Sequence, residues 1–495
     1  MDRRPNILML MCDQLNASVL GCYGGPVDTP NLDRLAAEGV RFTDASCPTP
    51  FCSPSRASLI TGLYPHAHGI VTNVNRRDYP AIPAPPTEEG VRESDVTTEG
   101  LLHAAGYQTH HYGKWHLMDD DLGHYPDMFG EHHGYATGMS DVFNDVRSRP
   151  NDEWLEWYGW ALPVTVSPQL QDAVAGLGDR WAGHPHAEFI TKMGRLDLPL
   201  SQNFDVQVTD RACERISGLR DDPFMITCSF NYPHDPNVVP SPYYEAFSPD
   251  NIELPANYDT REERFEEEWS RRIVADLGEA VAREFLRIYY ASVKLVDDQV
   301  GRVLRALDET GRAEDTIVLF TADHGDMAGG HGMIWKSTSS FYDEVVRVPL
   351  IVRWPGGLSP QVSSVEAGLT DVMPTLLELA EHPIPGHVQG HSLAPYITGA
   401  ADPSTAPSYR FSERVPAPAG HARALPDEPH GSFMIRGEGW KYVRYAGGDE
   451  CLYNLTDDPG EVTNLADTPA VGARKQQLAA ALDSWLAETW RPLAD

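Results

Sequence analysis

The chain has 495 residues, with 39 Lys and Arg against 72 Asp and Glu and a formal net charge of −33 at pH 7. That acidic excess argues against broad binding to nucleic acid or to anionic membrane, and it disfavours a long polyanionic substrate unless a local cationic site outweighs the general field. The length suits one large α/β domain with a smaller one beside it. Seven cysteines, an odd number with no C-x-x-C pair, do not describe a disulfide framework. The N-terminus is basic, but the apolar run Ile7 to Cys12 is too short for a signal peptide, and no run reaches membrane-spanning length. The expected setting is therefore the cytoplasm.

Asn6 to Cys12 is a continuous apolar run closed by Asp13-Gln14, the pattern of a strand buried on both faces. Thr29 to Gly39 reads as a short helix with a glycine stop, and Val40-Arg41-Phe42 as the next strand. Then comes Cys52-Ser53-Pro54-Ser55-Arg56. Pro54 fits the first turn of a helix, where its missing N–H costs nothing, so Cys52 falls at or just before a helix N-terminus. Free backbone N–H groups there favour an anion, and Arg56 adds a charged fork for an oxyanion. Taken alone, the pentad fits a buried structural thiol equally well.

A Pro-rich polar stretch from Gly69 to Ser94 reads as loop, and Val96 to Ala105 as a helix ending at Gly106. Tyr107 to His116 alternates as a strand, which would put Lys114 and His116 on one face. Residues 117–205 hold Trp154, Trp157, Trp160 and Trp181, a set suited to a pocket wall, a subunit contact or a satellite core. Phe224 to Phe230 is another buried strand, followed by a loop with His234, and Glu262 to Leu307 is largely helical. Thr316 to Thr321 is a core strand running into Ala322-Asp323-His324-Gly325-Asp326, and Pro349 to Trp354 is a further strand.

This alternation predicts an α/β fold with a large, mostly parallel sheet flanked by helices over residues 1–382. Composition shifts near Pro383. Residues 401–431 read as loop, Phe433–Arg436 and Lys441–Arg444 as antiparallel strands, and Val471 to Thr489 as an amphipathic helix. Residues 383–495 are thus expected to form a smaller α+β domain.

Asp13 and Asp323 each follow the C-terminal end of an apolar strand, the edge where open α/β sheets bind ligands. Carboxylate oxygens there suit a divalent cation, with Gln14 and His324 as adjacent candidate ligands. Arg56, Lys114, His116, His234 and Lys336 add cations and proton-exchanging groups. With Cys52, they describe a site for a tetrahedral anionic ester.

Over nearly its whole length the chain resembles the sulfatase family of the alkaline phosphatase superfamily. The resemblance rests on Pro5-Asn6-Ile7 with Asp13, Leu20-Gly21-Cys22-Tyr23-Gly24, Thr29-Pro30-Asn31-Leu32-Asp33 and the Cys52-x-Pro54-x-Arg56 signature. It continues in Gly113-Lys114-Trp115-His116, Ala322 to Asp326, Lys336, Val346-Arg347-Val348-Pro349 and Leu452-Tyr453-Asn454-Leu455.

It implies an alkaline-phosphatase-like fold and a sulfuric ester hydrolase. It also implies that a separate formylglycine-generating enzyme oxidises Cys52. The resulting aldehyde hydrates to a diol; one hydroxyl attacks sulfur and the other later expels sulfate. By the same resemblance Asp13, Gln14, Asp323, His324 and the modified Cys52 hold one divalent metal. Arg56 and Lys114 support the formylglycine and the sulfate oxygens, His116 contacts the diol, and His234 and Lys336 sit near the leaving oxygen and the sulfate.

Many family members have Asp-Asp and Asp-Asn where this chain has Asp13-Gln14 and Asp323-His324. These pairs resemble choline-sulfatase-like enzymes and phosphonate monoester or phosphodiester hydrolases. Calcium is the first expectation and manganese the second, since a nitrogen ligand softens the site. The expected substrate is a small or aryl sulfate. A phosphonate monoester or phosphodiester is the alternative within enzymes, and a non-catalytic anion-binding protein the alternative outside them. Asn73, Asn75, Arg76 and Arg77 are candidates for the pocket wall, and a homo-oligomer stays open.

Overall fold

The central strand β1 (Asn6–Asp13) is buried at every position, as its unbroken apolar run requires. Around it, a computed structural model describes residues 4–74, 90–92, 94–117, 163–175, 192–219, 222–265, 268–417 and 428–490. The tryptophans 154, 157, 160 and 181, and residues 75–77 of the expected pocket wall, lie outside the described residues.

After β1 come α1 (Pro30–Glu38), β2 (Val40–Phe42), α2 (Cys52–Thr61), β3 (Gln108–Gly113), α3 (Phe204–Gly218) and β4 (Phe224–Pro233). They are followed by α4 (Glu279–Glu309), β5 (Thr316–Ala322), β6 (Leu350–Arg353) and β7 (Gln361–Ser363). These strands form one seven-stranded sheet in the order β7-β2-β6-β5-β1-β4-β3. Every neighbouring pair is parallel except the two made by β6, which runs antiparallel to β2 and β5. The expected mostly parallel α/β sheet is present.

A four-stranded antiparallel sheet follows: β8 (Arg410–Arg414), β9 (Ser432–Gly437), β10 (Trp440–Arg444) and β11 (Glu450–Asn454), in chain order. Its side chains alternate between two cores. Met434, Val443, Cys451 and Tyr453 join the main core, whereas Phe433, Ile435, Tyr442 and Leu452 pack with Leu478, Leu482 and Trp485 of helix α5 (Gly472–Thr489).

Three expectations change. β8 lies inside the stretch read as loop; its pairing with β9 and the stacking of Phe411 on Trp485 at 4.5 Å hold it, and neither contact is local in sequence. The helical stretch after Glu262 breaks at Gly278, whose φ of +77° separates Trp269–Leu277 from α4. β3 stops at Gly113, so Lys114 and His116 do not share a strand face. Gly113 has a φ of +98°, and a Cβ there would stand 1.9 Å from the Ser229 carbonyl oxygen. The chain turns at that point, and His116 itself has a φ of +62°.

Asp13 ends β1, Asp323 follows β5, Lys114 follows β3 and His234 follows β4. Four parallel strands therefore deliver these side chains to the same sheet edge.

Candidate active site

Cys52 is the first residue of α2, after Phe51 in extended conformation, and every residue of the helix is buried. Its sulfur lies 3.2 Å from His324 Nε2 and 3.9 Å from Asp13 Oδ1, and Lys336 Nζ donates to it at 3.2 Å. Burial alone would raise the thiol pKa, but Lys336, Lys114 and His324, with a hydrogen bond from His116, bring it well below the ordinary value.

Arg56 sits one turn further along α2 and is spent inside the site. Its Nε donates to Asp323 Oδ2 at 2.7 Å, Nη2 to Asp13 Oδ2 at 3.0 Å, and Nη1 to the Lys114 carbonyl and Ser229 Oγ at 2.8 and 3.0 Å. It is therefore not the open oxyanion fork that its position in the signature suggested. It braces two carboxylates that would otherwise repel each other. Despite its burial, Asp13 stays ionised well below the usual carboxylate range, because Lys114, His234 and Arg56 surround it.

Asp13, Cys52, Asp323 and His324 bring one ligand atom each to within 4.8 Å of one another, all four residues buried. The remaining donors are consistent with a cation there. Gln14 Nε2 donates to Asp326 Oδ2 at 2.6 Å, which leaves Gln14 Oε1 buried with no hydrogen-bond partner. Burial opposes charge on the His324 ring, but Asp323 and Cys52 raise its pKa to about 9; its Nδ1 lies 2.8 Å from the Gly325 carbonyl, so a cation that displaced the Nε2 proton would be met by Nε2 on the side facing Cys52. A hard cation with oxygen and imidazole ligands fits this set.

Lys114 Nζ lies 2.6 Å from Asp13 Oδ2. Lys336 Nζ donates to His234 Nε2 at 2.9 Å, and His234 Nδ1 donates to the Asp235 carbonyl at 2.7 Å. Lys114 and His234 keep 15 % and 16 % of their side-chain surface exposed, so this cationic wall is the side open to a ligand. His116 is half-buried, and desolvation pulls its pKa down to about 4 against the opposing pull of Cys52. All ten residues singled out from the sequence thus meet at one place.

Three contributors were not singled out. Asp326 orients Gln14, Ser229 takes a donor from Arg56, and Glu268 Oε2 accepts from Ser337 and Ser339, which follow Lys336. Asp326 stood within a motif already quoted; nothing local marks Glu268 or Ser229.

A family model described as Sulfatase matches residues 5–382, and one described as N-sulphoglucosamine sulphohydrolase, C-terminal, matches 329–488. The chain belongs to the sulfatase family and is a sulfuric ester hydrolase. The family implies a divalent metal and a formylglycine. The ulvan-active sulfatase of Formosa agariphila is 28% identical, over 98% of this chain and 81% of its own. The choline-sulfatase of Rhizobium meliloti is 28% identical, over 94% of this chain and 83% of its own. The solved phosphonate monoester hydrolase of Agrobacterium radiobacter shares the fold, with a TM-score of 0.74 at 23% identity over 98% of this chain and 96% of that one. Among the described residues no helix is long and apolar enough to cross a membrane.

Proposed function

We propose that the chain hydrolyses a small or aryl sulfate monoester to an alcohol and inorganic sulfate, with Cys52 as the residue that becomes formylglycine. The observation that carries this reading is the position of the Cys52 sulfur, 3.2 Å from both His324 Nε2 and Lys336 Nζ and inside the buried Asp13–Asp323–His324 cluster. A formylglycine-generating enzyme acting on the Cys52-x-Pro54-x-Arg56 signature would supply an aldehyde whose hydrate is the nucleophile. A divalent cation held by Asp13, Gln14, Asp323, His324 and the modified Cys52 would supply positive charge beside that nucleophile and the sulfate oxygens. Calcium is the first choice. The His324 nitrogen makes manganese the second.

The chain's own residues do the rest. Lys114 and Lys336 offer ammonium groups to the sulfate oxygens and lower the cost of charge developing there. His234, held through Nδ1, accepts from Lys336 at Nε2, so the two stand together as the pair through which a proton can reach the leaving oxygen. His116 stays neutral at pH 7 and holds the residue-52 side chain in place. Arg56 keeps Asp13 and Asp323 aligned.

Two measurements test this. Peptide mass spectrometry should find residue 52 lighter than a thiol by ~18 Da, where oxidation at sulfur would add mass instead. Cys52→Ala should have no sulfatase turnover; retained turnover overturns the mechanism, and an unmodified thiol would favour a protein that only binds anions. The same cationic wall would also accept a phosphonate monoester or phosphodiester. Matched nitrophenyl esters decide between them: a kcat/KM favouring phosphorus by ~tenfold, about 1.4 kcal/mol, would reverse the order.

A further inference from the structure

Arg414 ends β8, and its neighbour Glu413 shows where the strand runs. Glu413 N–H donates to the Pro48 carbonyl at 2.8 Å, and its carboxylate takes the backbone N–H and ring Nδ1 of His66 at 2.7 Å each. Alternation along the strand turns Arg414 the other way. Its guanidinium carbon lies 4.6 Å from the ring centroid of Phe51, the residue immediately before Cys52. Its Nη1 donates to the Val71 carbonyl at 3.1 Å. From Val71 the chain continues into Asn73, whose side chain accepts from Ser53 N–H at 3.1 Å, and Val74, whose N–H donates to Ser53 Oγ at 3.1 Å. Arg414 thus packs on the residue that precedes Cys52 and on the segment that binds Ser53, and both it and Phe51 are partly exposed.

Its charge balance differs from that of Arg56, Arg410 and Arg436. Arg56 faces Asp13 and Asp323, Arg410 faces Asp371, and Arg436 faces Asp44, Asp343 and Glu366. Among the described residues Arg414 has a carbonyl and an aromatic face but no carboxylate. Desolvation of its half-buried guanidinium draws its pKa down to about 10, with no acid among the described residues to hold it up, and it remains charged at neutral pH. Among the described residues no acid pairs with this guanidinium, although the chain carries 72 Asp and Glu against 39 Lys and Arg, so its charge is left to a ligand. Its remaining N–H groups suit an oxyacid held by paired hydrogen bonds.

We propose that Arg414 is a specificity-determining residue that binds an anionic oxyacid group, a carboxylate or a second sulfate, on the alcohol half of the substrate. This rests on the sulfatase reading and narrows it. The sulfate to be cleaved meets Cys52 and Lys336, and the second anion reaches across Phe51 to Arg414. The substrate is then a compact molecule with two negative groups.

The test is steady-state kinetics on the full-length, formylglycine-bearing enzyme. The substrates are aryl sulfates of matched leaving-group pKa that carry no further charge, a carboxylate on a short spacer, or a second sulfate. Wild type should favour a charged substrate over the neutral one by about tenfold or more in kcat/KM, and the larger ratio of the two identifies the anion. Arg414→Gln should lose that ratio chiefly through KM. Arg414→Lys, which keeps the charge but not the fork, should retain part of it, and it reads the same ratio if the Gln variant does not fold. A wild type without the preference, or a preference that survives in Arg414→Gln, overturns the proposal. So does an equal loss on neutral and charged substrates, which marks a structural role. If wild type cleaves phosphorus esters and none of the sulfates, the sulfatase reading fails instead. The ratio between charged and neutral phosphorus esters then decides Arg414.

Discussion

At the scale of single residues, the site is governed by which polar atoms have partners. Gln14 shows this best: Asp326 takes its amide N–H and so points its unpartnered oxygen into the cluster. Asp326→Ala should lower affinity for calcium or manganese about 10- to 100-fold in a direct metal titration, because the ligand loses its orientation. Unchanged affinity would mean that Gln14 is not a ligand.

Glu99 is the opposite case, a buried carboxylate with both oxygens unpartnered, whose pKa burial pushes up to about 7. Below about pH 4.5 the folded and unfolded chains are both protonated there, and the group carries no penalty. As pH rises toward 7 the unfolded chain ionises first, so stability falls, and above 7 the penalty is complete. Glu99→Gln should therefore stabilise the protein at pH 8 by on the order of 3 kcal/mol and do nothing at pH 4. Thermal unfolding across that range checks it; a difference between the two proteins that is flat with pH would refute the assignment.

At the scale of elements, strand ends matter more than strand bodies. β3 delivers Lys114 only because Gly113 lets the chain turn against the Ser229 carbonyl. Gly113→Ala forces a left-handed conformation and a backbone clash together, a loss of about 3 kcal/mol or more. It should also displace Lys114 and Arg56, since Arg56 binds the carbonyl of Lys114 and the hydroxyl of Ser229. A lower midpoint in urea together with a lower kcat is expected; wild-type values for both would show that β3 can move aside.

At the scale of the molecule, the segment after 382 is tied to the segment before it by buried charge. Lys441 is fully buried, with Asp343 Oδ1 at 2.6 Å, Glu461 Oε1 at 2.7 Å and the Phe341 carbonyl at 2.8 Å. Arg436 and Arg410 reach Asp44, Asp343, Glu366 and Asp371. We propose the division at 382 as a boundary of composition, not of independent folding, because Met434, Val443 and Tyr453 lie in the core shared with the large sheet. Lys441→Met strands two acids and should cost about 3–5 kcal/mol in equilibrium unfolding. A cost below about 1 kcal/mol would show that water reaches the network.

What the chain's order of residues determined by itself was local and periodic. The apolar runs that became β1, β4 and β5 need burial on both faces, Pro54 fits only the first turn of a helix and so places its start near Cys52, and acids at strand ends are read from position alone. Membership of the site was legible for the same reason where a member sits beside a strand end or in the Cys52 signature; Lys336, in the loop between β5 and β6, is the exception. Only the tertiary structure decided how those residues are used. Arg56 binds acids instead of standing open, Lys114 and His116 leave the strand, β8 forms where composition says loop, and Arg414 comes to rest on Phe51. Each outcome depends on partners tens to hundreds of positions away, and both the energy of a buried charge and the pairing of a short strand are set by those partners.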